Sequence, residues 1–322
     1  MPTPPAIRIR AITKHFGDVI ALDDVDLDIP TGQIHGLVGP NGAGKTTLLG
    51  MLLGLTAPTS GEGRVLDQRL ARTRAVPSGV AGFLDGPGLY PTLTARQNLT
   101  SSLTLAGNRP NDDAVDEMLD TVGLSAVAHE RVRGFSLGMR QRLGLAAAVL
   151  AEPRLLVLDE PANGLDPAGK RQVHGVLTDL AARGTTVVLS SHRMDDVEAL
   201  CDEVTILVTG RVAFTGPLAK LAAENDALDY RLVISDRTKA QRIAATTCGI
   251  HLRGSAEGRA GGSAPNRPLL LSATIPALDG LMIRLAAGDV AVRELTPVLS
   301  PLEAAFLKLT DDKLTDNEEV SQ

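Results

Sequence analysis

Tryptophan is absent from this 322-residue sequence, and aromatic residues make up only 2% of it. Its core must therefore rest on Leu, Val, Ile and Ala. Cysteine is almost as scarce. Cys201 and Cys248 stand far apart, which excludes metal-ligand spacing and fits two reduced thiols in a cytosolic protein. No stretch reaches the ~20 apolar residues that a membrane-crossing helix needs, so work at a membrane would require another polypeptide to supply the span. The N-terminal MPTPPAIRIR has no apolar core of the kind a signal peptide carries. Basic excess is missing too. The chain holds 32 Lys and Arg against 38 Asp and Glu, a net charge of −6, and a general nucleic-acid binder would show a basic footprint instead.

What is present is the balance of an ordinary globular protein, 43% hydrophobic and 22% charged. The length exceeds the ~100–200 residues of an average domain, so two are expected. Strand character recurs at Ile7–Ile12, Val25–Ile29, 34–38 and Val80–Leu84. Thr94 and Gln97 have capping-box spacing and open a helix to about Ala106. Further helices are expected at Asp112–Val122 and Ser136–Ala151, the latter stopped by Pro153. An apolar strand then runs from Leu155 into two acids. Asp166-Pro167 reads as an N-cap followed by proline at the first helical position, with Gly184 ending that helix. A strand at 185–190 leads into SHRMDDVEALC, a short helix. Strands alternating with helices predict a largely parallel α/β sheet covered on both faces.

The character changes after about Lys220. Strands at Leu228–Ile234, Gly249–Leu252, Leu269–Ile275 and Val290–Leu295 alternate with helices at Arg237–Thr247 and Ala277–Ala287, and a last helix spans Pro301–Leu309. This βαββαβ order suits a small ferredoxin-like α+β unit. A glycine-rich run at 254–268 reads as flexible, and the polar, acidic tail from Asp311 reads as disordered.

GPNGAGKT at 39–46 satisfies G-x-x-x-x-G-K-[ST], the phosphate-binding loop. Gly39, Gly42 and Gly44, with Pro40, Asn41 and Ala43 between them, let successive backbone N–H groups turn inward toward phosphate oxygens. Lys45 brings a positive charge to the β- and γ-phosphates of ATP. The Thr46 hydroxyl is placed for Mg²⁺, and Thr47, next along, is expected at the α-phosphate. Asp159, ending the strand that starts at Leu155, is placed to hold the Mg²⁺ shell. Glu160 extends toward the attacking water as general base. His192, at the end of the next strand, could donate to the γ-phosphate.

One stretch does not fit a single site. GFSLGMRQRL at 134–143 places Ser136 as N-cap of a second glycine-flanked helix, another anion site in the same chain. The series GPNGAGKTT, FSLGMRQRL, LLVLDEP, ANGLD and SHR resembles the ATP-binding cassette of ABC transporters over about residues 6–220. The resemblance implies a P-loop NTPase cassette at 1–222 with an antiparallel β subdomain, a helical subdomain at about 90–152, and an accessory domain at 223–310 before the tail at 311–322. It also explains the second anion site. In that family two cassettes pack head to tail, so Ser136 and Gly138 would bind the γ-phosphate held by the partner copy's phosphate loop. Phe16 matches the aromatic that stacks on adenine, Asp166 the loop acid that communicates across the dimer, and His192 the switch histidine.

Two positions depart from the family pattern. FSLGM stands where LSGGQ is usual, so Leu137 and Met139 replace a Gly and a Gln. Asp85 takes the place of a Gln near the metal and is carried as a possible Mg²⁺ ligand. The departures, together with LTPVLSPLEAAFLKLT at 295–310, are similar to bacterial exporters of drugs, antibiotics or lantibiotics. The implied protein is a homodimeric ATPase on the cytoplasmic side of the membrane, serving a separate transmembrane permease with no nucleic acid involved. The competing reading is a soluble cassette acting on nucleic acid or ribosomes.

Overall fold

The computed structural model describes residues 4–70, 77–109, 111–223, 227–253 and 268–320. The chain divides into two compact units, Met1–Leu218 with Leu309–Gln322, and Ala219–Lys308.

In the first unit, β1 (Ile7–Phe16) and β2 (Val19–Ile29) form an antiparallel hairpin, followed by β3 (Ile34–Val38) and α1 (Lys45–Leu52). Next come β4 (Ser60–Val65), β5 (Gln68–Arg69) and β6 (Val80–Phe83). Three helices follow, α2 (Ala95–Leu105), α3 (Asp112–Thr121) and α4 (Leu137–Val149). The unit continues with β7 (Leu155–Asp159), α5 (Pro167–Ala182), β8 (Thr186–Ser190) and α6 (Met194–Leu200), then the hairpin β9 (Glu203–Val208) and β10 (Arg211–Pro217).

A six-stranded sheet runs β10-β9-β3-β8-β7-β6, with β3, β6, β7, β8 and β9 parallel and β10 antiparallel at the edge. Every residue of β3, β7 and β8 is buried. Strands covered on both faces read as continuous apolar runs, which is why the sequence shows them plainly. A second sheet, β2-β1-β4-β5, is antiparallel and covered on one face, so Ile7 and Ile9 point into the core while Arg8 and Arg10 face water. Helices α2, α3 and α4 close around a cluster of their own that includes Leu99, Val115, Leu119, Phe135 and Leu143. The Thr94–Gln97 capping box opens α2, Pro167 occupies the first turn of α5, and Gly184 follows α5 with a positive φ of 95°.

The second unit follows α7 (Leu218–Ala223). It comprises β11 (Leu228–Ile234), α8 (Arg237–Ala245), β12 (Ile250–Leu252), β13 (Leu269–Ala273), α9 (Ile275–Ala287) and β14 (Val292–Pro297). Its sheet order is β12-β13-β11-β14, antiparallel throughout, around Leu232, Leu271, Leu281 and Leu285.

One expectation fails. The last helix, α10 (Pro301–Val320), does not stop at Leu309 but carries the polar tail. After Pro301 that segment contains neither Gly nor Pro, so nothing in the backbone ends the helix, and polar composition alone is a poor stop signal. The glycine-rich run at 254–268 falls almost wholly outside the described residues.

Candidate functional site

The site is assembled at the carboxyl ends of the parallel strands, where loops from adjacent strands converge. The loop from Gly39 to Gly44 joins buried β3 to α1 and leaves little room for side chains. A Cβ on Gly44, at φ 99°, would lie 2.4 Å from the carbonyl oxygen of Ala21 on β2, and one on Gly39 would lie 2.3 Å from that of Leu207 on β9. Only glycine allows the backbone this close an approach. Gly44 is the N-cap of α1 and no side chain caps the helix, so its first N–H groups are free to bind an anion.

Lys45 begins α1 almost buried, with Nζ donating to the carbonyls of Gly39 (2.8 Å) and Pro40 (3.0 Å). Burial lowers its pKa, and the carboxylates of Glu160 and Asp159 oppose that shift. From the first turn of α1, Thr46 Oγ1 donates to Asp159 Oδ2 at the end of β7, at 3.0 Å. Parallel register sets Ser190 beside Asp159. Its hydroxyl donates to Asp159 Oδ1 and accepts from the Glu160 N–H at 3.0 Å. Glu160 itself has a left-handed φ of 52°, a conformation that costs an L-residue about 1–2 kcal/mol. The Ser190 bond, together with the Asn163 N–H donating to the Glu160 carbonyl at 3.1 Å, holds it there.

His192 Nδ1 lies 2.7 Å from Glu160 Oε2. A carboxylate only accepts, so Nδ1 carries the proton. This refines the sequence expectation. With Nδ1 committed to Glu160, Nε2 can donate to a phosphate only when the ring is protonated.

The residues fit a magnesium triphosphate. A glycine cradle too tight for a Cβ faces a lysine ammonium, and Thr46 with Asp159 offers two hard oxygen donors, the set Mg²⁺ takes beside phosphate oxygens.

Residues 22–163 match the family described as ABC transporter. Over 237 residues the chain is 38% identical to the bacitracin transport ATP-binding protein BcrA of Bacillus licheniformis, covering 73% of this chain and 76% of that protein. The chain belongs to the ABC transporter ATP-binding family. The lantibiotic transport ATP-binding protein SrtF of Streptococcus pyogenes is 35% identical over 210 residues, covering 64% of this chain and 88% of that protein. A solved ATP binding subunit of an ABC transporter aligns with a TM-score of 0.61 at 27% identity, over 68% of this chain and 92% of that one.

The remaining residues matched to the family's motifs have their own local settings. Phe16 is exposed at the β1–β2 turn, paired with Val19, and Lys14 Nζ stands 4.7 Å from its ring centroid. Asp85 is exposed just beyond β6, with a left-handed φ of 52°, while Thr46 and Asp159 bond to each other. Asp166 caps α5, accepting from Gly169 N–H at 2.7 Å. Ser136 caps α4, accepting from Met139 N–H at 3.2 Å. Gly138 and Leu137 pack on the loop between Glu160 and Asp166. A Cβ on Gly138 would lie 2.9 Å from Leu165 Cδ2, and one on Gly164 2.4 Å from Leu137 Cδ2. The Ser136–Gly138 stretch and the loop between Glu160 and Asp166 are therefore interlocked within one chain.

Sequence reasoning missed Ser190. Its signal was available only as register, because a serine ending one buried strand matters when the neighbouring parallel strand ends in Asp159.

Proposed function

We propose that the chain is the ATP-hydrolysing subunit of a bacterial exporter of antibiotic-class molecules. In this reading it works as a head-to-tail homodimer with a separate permease at the cytoplasmic face of the membrane. The observation that carries the hydrolysis is the meeting of the Thr46–Asp159 pair, at 3.0 Å, and the Glu160–His192 pair, at 2.7 Å, beside the phosphate loop.

Bound ATP supplies the bond to be broken, and a bound Mg²⁺ would supply positive charge against the triphosphate. The backbone N–H groups of residues 39–46 and the Lys45 ammonium orient the phosphates and stabilise developing charge. Thr46 and Asp159 would hold the metal. Glu160 takes the proton from the attacking water, and the His192 Nδ1–H keeps that carboxylate aimed. Phe16, exposed beside the loop-facing strand β2, offers an adenine platform. Ser136 and Gly138, at the start of α4, would close over the triphosphate held by the partner copy.

The antibiotic class rests on the bacitracin and lantibiotic transport relatives. Among the described residues no helix is long and apolar enough to cross a membrane, and the permease is assigned from the family. The strand order of the second unit supports a ferredoxin-like reading, and we assign that unit an accessory, scaffolding role.

Glu160→Gln tests the scheme. ATP binding is expected to survive while hydrolysis falls about 10²- to 10⁴-fold, and size exclusion with ATP should show a dimer. Unchanged hydrolysis would remove Glu160 from the chemistry. A strict monomer under every condition would remove the sandwich.

A further inference from the structure

The loops bearing Glu160 and His192 lead into α5 and α6, and these two helices meet at a charged cluster that overlaps the motifs above only at Arg193 of SHR. Asp196, in the first turn of α6, has a side chain only 6% exposed. From α5, Lys170 Nζ donates to both of its oxygens, at 2.8 and 3.1 Å. Arg193 Nε stands 3.5 Å from Oδ2, and His174 Nε2 on α5 stands 3.4 Å from Oδ1. Burial holds the His174 pKa below the ordinary imidazole value against the pull of Asp196, so Lys170 and Arg193 supply the compensating charge. Arg193 is itself fixed by Asp195 through Nε (3.1 Å) and Nη2 (2.7 Å).

Stability alone does not account for such a pair. Removing two charges from water costs several kcal/mol per ion, and apolar groups of similar volume often stabilise as well or better. A pair of this kind does fix direction. Lys170 lies one turn beyond Asp166, the cap of α5, and Asp196 lies four residues after His192, in the first turn of α6. The contact therefore ties together the two segments that must present Glu160 and His192 to each other.

We propose that the Lys170–Asp196 pair is a positioning device for ATP hydrolysis, holding the segment after His192 on the helix that follows Glu160 so that the two side chains stay in register. Neither residue touches a reacting group. The inference rests on the reading of Glu160 and His192 given above.

Three variants test it: Lys170→Met, Lys170→Arg, and the double variant Lys170→Met with Asp196→Leu. Lys170→Met is expected to lower kcat on the order of 10- to 100-fold, the scale of a small misplacement. The KM for ATP should stay within about twofold, since uniform binding is untouched. Lys170→Arg should recover most of the rate. The double variant, with no buried charge left unpaired, should melt like the wild type and remain slow. Recovery of both melting temperature and rate in the double variant would show that the pair only stabilises, and would overturn the proposal, as would an unchanged kcat in Lys170→Met.

A wild-type protein that does not hydrolyse ATP would sink the underlying reading instead. The positioning claim then stands or falls on the imidazole nitrogen resonances of His192. The hydrogen-bonded Nδ1–H signal should be present in the wild type and in Lys170→Arg and lost in Lys170→Met. Its retention in Lys170→Met overturns the proposal.

Discussion

His35 makes stability depend on pH by an amount that follows from its burial. The ring lies in β3, directly upstream of the phosphate loop, and is fully buried. Nε2 is 2.8 Å from Thr205 Oγ1, and Nδ1 has no hydrogen-bond partner. Glu203 Oε2 is 3.9 Å from Nδ1. That contact is not an ion pair at neutral pH, because burial pushes the imidazole pKa from 6.5 down to about 4. A histidine with a depressed folded pKa gains protons on unfolding as the solution is acidified. Its contribution is therefore intact above pH 6.5 and is lost as pH falls from there toward about 4. At about 1.4 kcal/mol per pH unit the whole contribution is about 3 kcal/mol, of which about 2 kcal/mol disappears between about pH 7 and pH 5.

His35→Leu removes the titration and leaves Thr205 its bond to Thr215 Oγ1, at 2.9 Å. With no tryptophan in the chain, urea unfolding followed by circular dichroism is the assay. The wild type should lose about 2 kcal/mol more than His35→Leu over that interval. Equal pH slopes for the two proteins would refute the reasoning, since the folded ring would then be free to take up a proton.

Other expectations concern the nucleotide site. Lys45→Ala should cost about 3 kcal/mol of transition-state stabilisation, by comparison with deletion of a single preorganised donor, and near-normal turnover in an ATPase assay would contradict its role. Gly44→Ala should abolish nucleotide binding in a fluorescent-ATP titration, because the added carbon meets the Ala21 carbonyl at 2.4 Å; Gly42→Ala, with nothing within 4 Å, should bear only the backbone strain of its positive φ. Ser136→Ala should destabilise by about 1 kcal/mol through the lost cap. Ser136→Asp should restore that stability and still fail to hydrolyse ATP, because it sets a carboxylate against a phosphate. Recovery of turnover by the Asp variant would reduce Ser136 to a helix cap.

The phosphate loop, the acids after Leu155, the capping box at Thr94 and the parallel sheet were all legible in the sequence, because each depends on local chemistry. Glycine spacing, caps and doubly buried strands leave their mark on neighbouring residues whatever the rest of the chain does. The hairpin β9–β10 and the strands β4 and β5 were not legible. Ser60–Val65 contains two glycines and is defined by pairing with β1 and β5, and β10 exists as the antiparallel partner of β9. The helical path of α10 beyond Leu309 was hidden for the opposite reason, since its polar composition carries no apolar stripe to announce it.

The candidate site residues were thus legible in the order of the amino acids, while their mutual aim was not. Tertiary packing alone sets Ser190 against Asp159, commits the His192 Nδ1 proton to Glu160 and brings Lys170 to Asp196. These contacts join residues 26 to 32 positions apart, and strand register or helix packing, which no local pattern encodes, decides whether such residues meet.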